Sequence, residues 1–133
     1  MKVDVAGRAV PRLSRREIAG FARRVLRACG TGSQTVRIDE LSIAIVDDAT
    51  MRALNLRFRR KNKTTDVLTF PSEIVISLDQ ARRQARDEGH SLATEVRYLI
   101  AHGVLHALGY DHETDHGEMN ALELKVRESV GLD

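Results

Sequence analysis

The chain has 133 residues, 42% of them apolar and 30% charged, a composition that suits one soluble domain, 1–133, with a modest core. No apolar run approaches the ~20 residues of a bilayer-spanning helix, and no signal-peptide apolar region opens the chain. A lone cysteine, Cys29, excludes an internal disulfide, so a reducing, cytoplasmic location is expected.

The net charge of +2 conceals a segregated distribution. Residues 8–27 carry seven arginines against one acid, Glu17, and residues 52–63 carry six basic residues and no acid. Residues 111–133 reverse the balance, with seven acids against Lys125 and Arg127. Clustered cations are either solvated helix faces or the footprint of a polyanion, nucleic acid above all.

In chain order, Met1 to Val5 alternates weakly as a strand, and Gly7 and Pro11 mark a connection. Ser14 and Glu17 form a capping-box pattern that opens a helix. Its apolar stripe is Ile18, Phe21, Ala22, Val25, Leu26 and Cys29, and most of its arginines fall off that stripe. Cys29 ends this helix and is expected to pack as a small core residue, because a reactive cysteine is favoured at a helix N-terminus.

Leu41 to Val46 is the best strand in the chain, and Asp47-Asp48 caps a second helix marked by Met51, Leu54, Asn55 and Phe58. That helix runs into the basic cluster Arg57–Lys63. Val67–Phe70 and Glu73–Ser77 read as strands joined by a tight connection at Pro71. Ser77 or Asp79 opens a polar helix closed by Gly89. Ser91 with Thr94-Glu95 opens the most apolar helix, with Val96, Leu99, Ile100, Gly103, Val104, Ala107 and Leu108 on one broad face. Asp115 is expected to cap a last helix with Met119, Leu122, Leu124 and Val126 inward. The order β-α-β-α-β-β-α-α-α predicts an α+β domain with a small mixed sheet and about five helices, the central one carrying the histidines.

Three of the five histidines fall in His102-Gly103-Val104-Leu105-His106-Ala107-Leu108-Gly109-Tyr110-Asp111-His112. His102 and His106 lie one helical turn apart on one face. Gly109 stands where a left-handed residue closes a helix, so the chain can turn and bring His112 toward them. Three neutral imidazoles with an open fourth position are the catalytic zinc pattern, although nickel, cobalt or copper also suit such a shell. The spacing matches that of metzincins, but Gly103 replaces the glutamate that serves them as general base, which argues against a peptidase. Asp111 and Asp115 are candidates to orient an imidazole. Glu95 is two turns from His102 but is expected at the surface, as is His90, and His116 is placed outside the ligand set. Arg59, Arg60, Lys61 and Lys63 supply forks and point charges for phosphate oxygens. Together with a metal ion they point to phosphodiester cleavage.

The histidine block resembles the signature of the YbeY family, metal-dependent endoribonucleases of ribosomal RNA maturation. A second block, Leu54-Asn55-Leu56-Arg57-Phe58-Arg59-Arg60-Lys61-Asn62-Lys63-Thr64-Thr65-Asp66-Val67-Leu68-Thr69-Phe70-Pro71, is similar to the same family's second motif. The chain departs from the family after Pro71, where an insertion and a Gly-Asp pair are replaced by Ser72-Glu73. The resemblance implies His102, His106 and His112 as ligands of one zinc ion, and Arg59 as the arginine important for RNA cleavage. It also implies a single-strand-specific endoribonuclease acting on ribosomal RNA, at the small subunit, in 3′-end processing and ribosome quality control. No membrane or DNA partner is expected. Two rivals are a metal-dependent hydrolase of a non-RNA substrate and a non-catalytic, metal-stabilised RNA-binding factor of the ribosome.

Overall fold

Residues 41–46 alternate so that Leu41, Ile43 and Ile45 share one face of a sheet, while the run Ile74-Val75-Ile76 is buried on both faces. The computed structural model describes residues 2–30, 38–110 and 116–132. Its elements are β1 (Lys2–Gly7), α1 (Arg15–Cys29), β2 (Glu40–Val46), α2 (Asp48–Arg59), β3 (Val67–Phe70), β4 (Glu73–Ser77), α3 (Leu78–Glu88), α4 (Leu92–Ala107) and α5 (Glu118–Ser129). The sheet order is β1-β2-β4-β3. β1, β2 and β4 run parallel, in registers such as Val5↔Ile43↔Ile74, and β3 returns antiparallel on β4 with Val67 opposite Ile76. This is the expected α+β domain with a mixed sheet and five helices.

Leu41, Ile43 and Ile45 of β2, with Ile74 and Ile76 of β4, face a large core shared with Ile18, Phe21 and Val25 of α1 and Val96, Ile100 and Val104 of α4. The intervening residues Ala44, Val46 and Val75 face a smaller core with Leu68, Met51 and Leu54. α1 and α4 therefore cover one face of the sheet and α2 the other. No helix among the described residues is long and apolar enough to cross a membrane.

The caps follow the sequence. Ser14 accepts from the Glu17 amide while Glu17 reaches back to the Ser14 amide. Ser77, rather than Asp79, caps α3, and Ser91 caps α4. The Asp79 carboxylate instead accepts from the Asp48 amide, tying α3 to the start of α2. Cys29 is partly buried against the large core, and burial pushes its thiol up to about 11.

The last helix differs from expectation. It begins at Glu118 with Gly117 at the N-cap position, and Asp115, the expected cap, lies outside the described residues. Leu124 is 54% exposed, while Met119, Glu123 and Val126 are buried. Steps of four and three residues from Met119 keep one helical face, and that face holds the acid Glu123 and excludes Leu124.

Candidate metal centre

α4 carries the histidines, and its orientation is fixed by Gly103. A Cβ built at Gly103 would come within 2.9 Å of Ile74 Cγ2 and 3.1 Å of its Cδ1, and Ile74 is fully buried in β4. The glycine therefore faces the sheet at close approach. A glutamate there would point into the core, which gives the departure from the metzincin pattern a physical cause.

The adjoining face of α4, turned about 60–100° from Gly103, bears His102 and His106, both half-buried. Their Nε2 atoms stand 3.0 Å apart, with ring centroids at 4.6 Å and planes crossed at 75°. His102 Nδ1 lies 2.7 Å from Glu123 Oε1 on α5. A carboxylate only accepts, so this contact puts a proton on Nδ1, and in the neutral imidazole the Nε2 lone pair is directed at His106. The other oxygen, Glu123 Oε2, accepts from Arg127 Nη2, and the Arg127 guanidinium lies 4.7 Å over the Tyr98 ring.

This arrangement fits a metal ion. Two donors each 2.0–2.1 Å from one tetrahedral ion stand about 3.3 Å apart, close to the separation seen here. A metal-ligating histidine characteristically donates its other nitrogen to a carboxylate. Among the described residues no three His, Cys, Asp or Glu side chains are gathered around one point. The third expected ligand, His112, lies outside the described residues, as do Asp111 and Asp115. Gly109, at φ 101°, adopts the left-handed turn expected beyond α4, and its amide donates to the His106 carbonyl.

Glu123 is the residue that sequence reasoning missed. Its signal was available in the helical period from Met119, but a charged residue on an inward face reads as a break in the pattern. Two other expectations are corrected. Glu95 is buried rather than at the surface, and His90 is half-buried. The two pair through His90 Nε2 and Glu95 Oε1 at 2.6 Å, and the His90 ring stacks on Tyr98. Pairing explains the burial, because an acid enters the interior only with a partner. Glu95 and His90 line, with His102, Arg127 and Asp66, a cleft of about 500 Å³. His116 is exposed.

Arg59 ends α2 and is exposed. It is not among the residues lining the cleft at His102, so the described structure does not bring it together with the histidines. The loop that follows it is firmly held. Asn55, itself buried, donates from Nδ2 to the Lys63 carbonyl at 2.9 Å. Asp48 Oδ1 accepts from Thr64 Oγ1 at 3.0 Å and Ser77 Oγ at 2.9 Å, while Oδ2 accepts from Arg83 at 2.7 Å. Burial opposes ionisation of Asp48, but these bonds from Arg83, Ser77 and Thr64 outweigh it and hold the carboxyl below its ordinary range.

Residues 8–131 match the family model described as Endoribonuclease YbeY. The chain is 44% identical over 131 residues to Endoribonuclease YbeY of Solibacter usitatus (strain Ellin6076), covering 94% of this chain and 85% of that one. It is 42% identical over 127 residues to the Koribacter versatilis (strain Ellin345) protein of the same name, covering 90% and 80%. The solution structure of TM1509 from Thermotoga maritima superimposes with a TM-score of 0.64 at 24% identity, covering 96% of this chain and 88% of the other, a likeness of fold. The chain belongs to the endoribonuclease YbeY family.

Proposed function

We propose that this protein is a metal-dependent endoribonuclease that cleaves single-stranded RNA, with ribosomal RNA of the small subunit as its substrate. In this reading it matures the 3′ end of that RNA, serves ribosome quality control, and works in the cytoplasm. The observation that carries it is the pairing of His102 and His106 through their Nε2 atoms while Glu123 holds the other nitrogen of His102. Family membership and the six cations at residues 52–63, with no acid among them, support the substrate class.

His102, His106 and His112 would hold one zinc ion. When bound, such an ion lowers the pKa of a water ligand and polarises a phosphoryl oxygen. Glu123 keeps His102 in the tautomer whose Nε2 is a lone-pair donor and fixes the plane of its ring. Arg127 takes up the second carboxylate oxygen and holds Glu123 in turn. Arg59, exposed and with no hydrogen-bond or ion-pair partner in the described structure, is available to a phosphate oxygen and to the charge that develops there during cleavage.

The test is metal analysis of the purified protein together with cleavage of a ribosomal RNA substrate by the wild type, His106→Ala and Arg59→Ala. The expected result is zinc bound by the wild type and by Arg59→Ala, with cleavage lost in both variants. Unchanged cleavage by a folded, zinc-loaded Arg59→Ala would remove Arg59 from the reaction. Loss of folding in His106→Ala, with RNA binding and no cleavage in the wild type, would make the metal a structural element of a binding factor.

A further inference from the structure

The smaller core ends before the helix that covers it does. Met51 is buried and Leu54 partly buried against β3 and β4, and Phe58 continues the same stripe one turn further. There it has run past the sheet, and the ring is 54% exposed. The ring is nevertheless held. It meets Phe70, the last residue of edge strand β3, edge-to-face at 5.1 Å and 72°. The Arg57 guanidinium lies 5.1 Å from its centroid.

An exposed aromatic ring is costly to leave in water, and this one is flanked along the chain by charge of one sign. Arg52, Arg57, Arg59, Arg60, Lys61 and Lys63 surround it in sequence, with no acid between residues 52 and 63. Proteins that bind single strands combine a cationic track for the backbone with aromatic rings on which bases stack, and arginine planes add to that stacking. Because Phe70 already fixes the ring, little conformational entropy remains to be lost when a base arrives.

We propose that Phe58, with the Arg57 guanidinium beside it, is a stacking platform for an unpaired base of single-stranded RNA. The proposal rests on the RNA reading above and adds to it the element that distinguishes a single strand from a duplex, whose bases are not available to stack.

The chain contains no tryptophan, so Phe58→Trp installs a single reporter at the ring. The probe is a fluorescein-labelled 2′-O-methyl oligouridylate of about 12 nucleotides, within the usual single-strand site size. Binding is followed by anisotropy, and the tryptophan emission by its own spectrum. The expected result is that emission is quenched along the same isotherm as binding. Phe58→Ala should weaken binding about tenfold or more with the salt slope unchanged, and Phe58→Tyr should bind as the wild type does. Phe58→Leu, which keeps apolar bulk and loses the π face, should behave as Phe58→Ala. Binding without quenching, or full affinity in a folded Phe58→Leu, overturns the platform and leaves the RNA reading standing, with a protein partner as the ring's occupant. Absence of salt-dependent binding by the wild type overturns both.

Discussion

His102 Nδ1 and Glu123 Oε1 stand 2.7 Å apart across the α4–α5 contact, joining a half-buried imidazole to a buried carboxylate. The bond sets both the tautomer and the orientation of the imidazole. Partners of this kind characteristically change metal affinity by about 10–100-fold when removed. Glu123→Ala is accordingly expected to weaken zinc binding by about that factor, measured by competition with a chelating dye. Glu123→Gln, which still presents an acceptor, should lose less. Equal affinity in all three proteins would show that the carboxylate does not position His102.

Two helical glycines give opposite expectations for the same substitution. Gly20 in α1 has open space where a Cβ would go, so Gly20→Ala should stabilise the fold by about 0.5–1 kcal/mol through helix propensity. At Gly103 the new methyl meets the buried Ile74 side chain, and overpacking of this kind costs about 1–3 kcal/mol. Gly103→Ala should therefore be less stable by about 1 kcal/mol after the propensity gain is subtracted. Urea unfolding of the two variants beside the wild type decides the matter, and a stabilised Gly103→Ala would contradict the close approach.

Asp48 gives a pH dependence with a definite sign. Its carboxyl pKa is held below the ordinary value of 3.8 in the folded protein. A depressed folded value means that the unfolded chain binds the proton more readily, so Asp48 stabilises the fold fully above the ordinary value. That stability declines as pH falls through 3.8 and is gone below the folded value. Asp48→Asn should show a shallower fall in unfolding midpoint between about pH 5 and pH 2.5. A wild type and a variant with parallel profiles would assign the acid lability elsewhere.

Cys29 makes the same kind of statement about reactivity. With its pKa raised from 9.0 to about 11, the native thiol carries roughly a hundredfold less thiolate at pH 8 than an unperturbed one. Alkylation by iodoacetamide at that pH should be slower by about this factor in the folded protein than in urea. Comparable rates in the two states would mean that the thiol is not buried as described.

How much of this was legible in the sequence depends on what each residue was asked to reveal. Capping residues and strand-forming runs act locally, so Ser14, Ser77, Ser91 and the existence of β2 and β4 were readable directly. The His102–His106 pair followed from helical pitch alone. Glu123, Glu95 and His90 were misread or missed because their burial depends on partners from other parts of the fold, and charge by itself predicts exposure. Leu124 failed in the opposite sense, since an apolar residue is placed inward by default. α5 turns Leu124 away from the core.

The close seating of Gly103 on Ile74 has a consequence for the candidate metal centre on the adjoining face of the same helix. A helix whose backbone is wedged against a strand cannot roll about its axis without moving β4, so the azimuth of His102 and His106 is dictated by the sheet rather than by any ion they hold. The entropy of arranging these two donors is therefore spent during folding, before a metal arrives. Zinc entering this centre would find the pair already oriented, and its binding energy would go into coordination rather than into ordering α4.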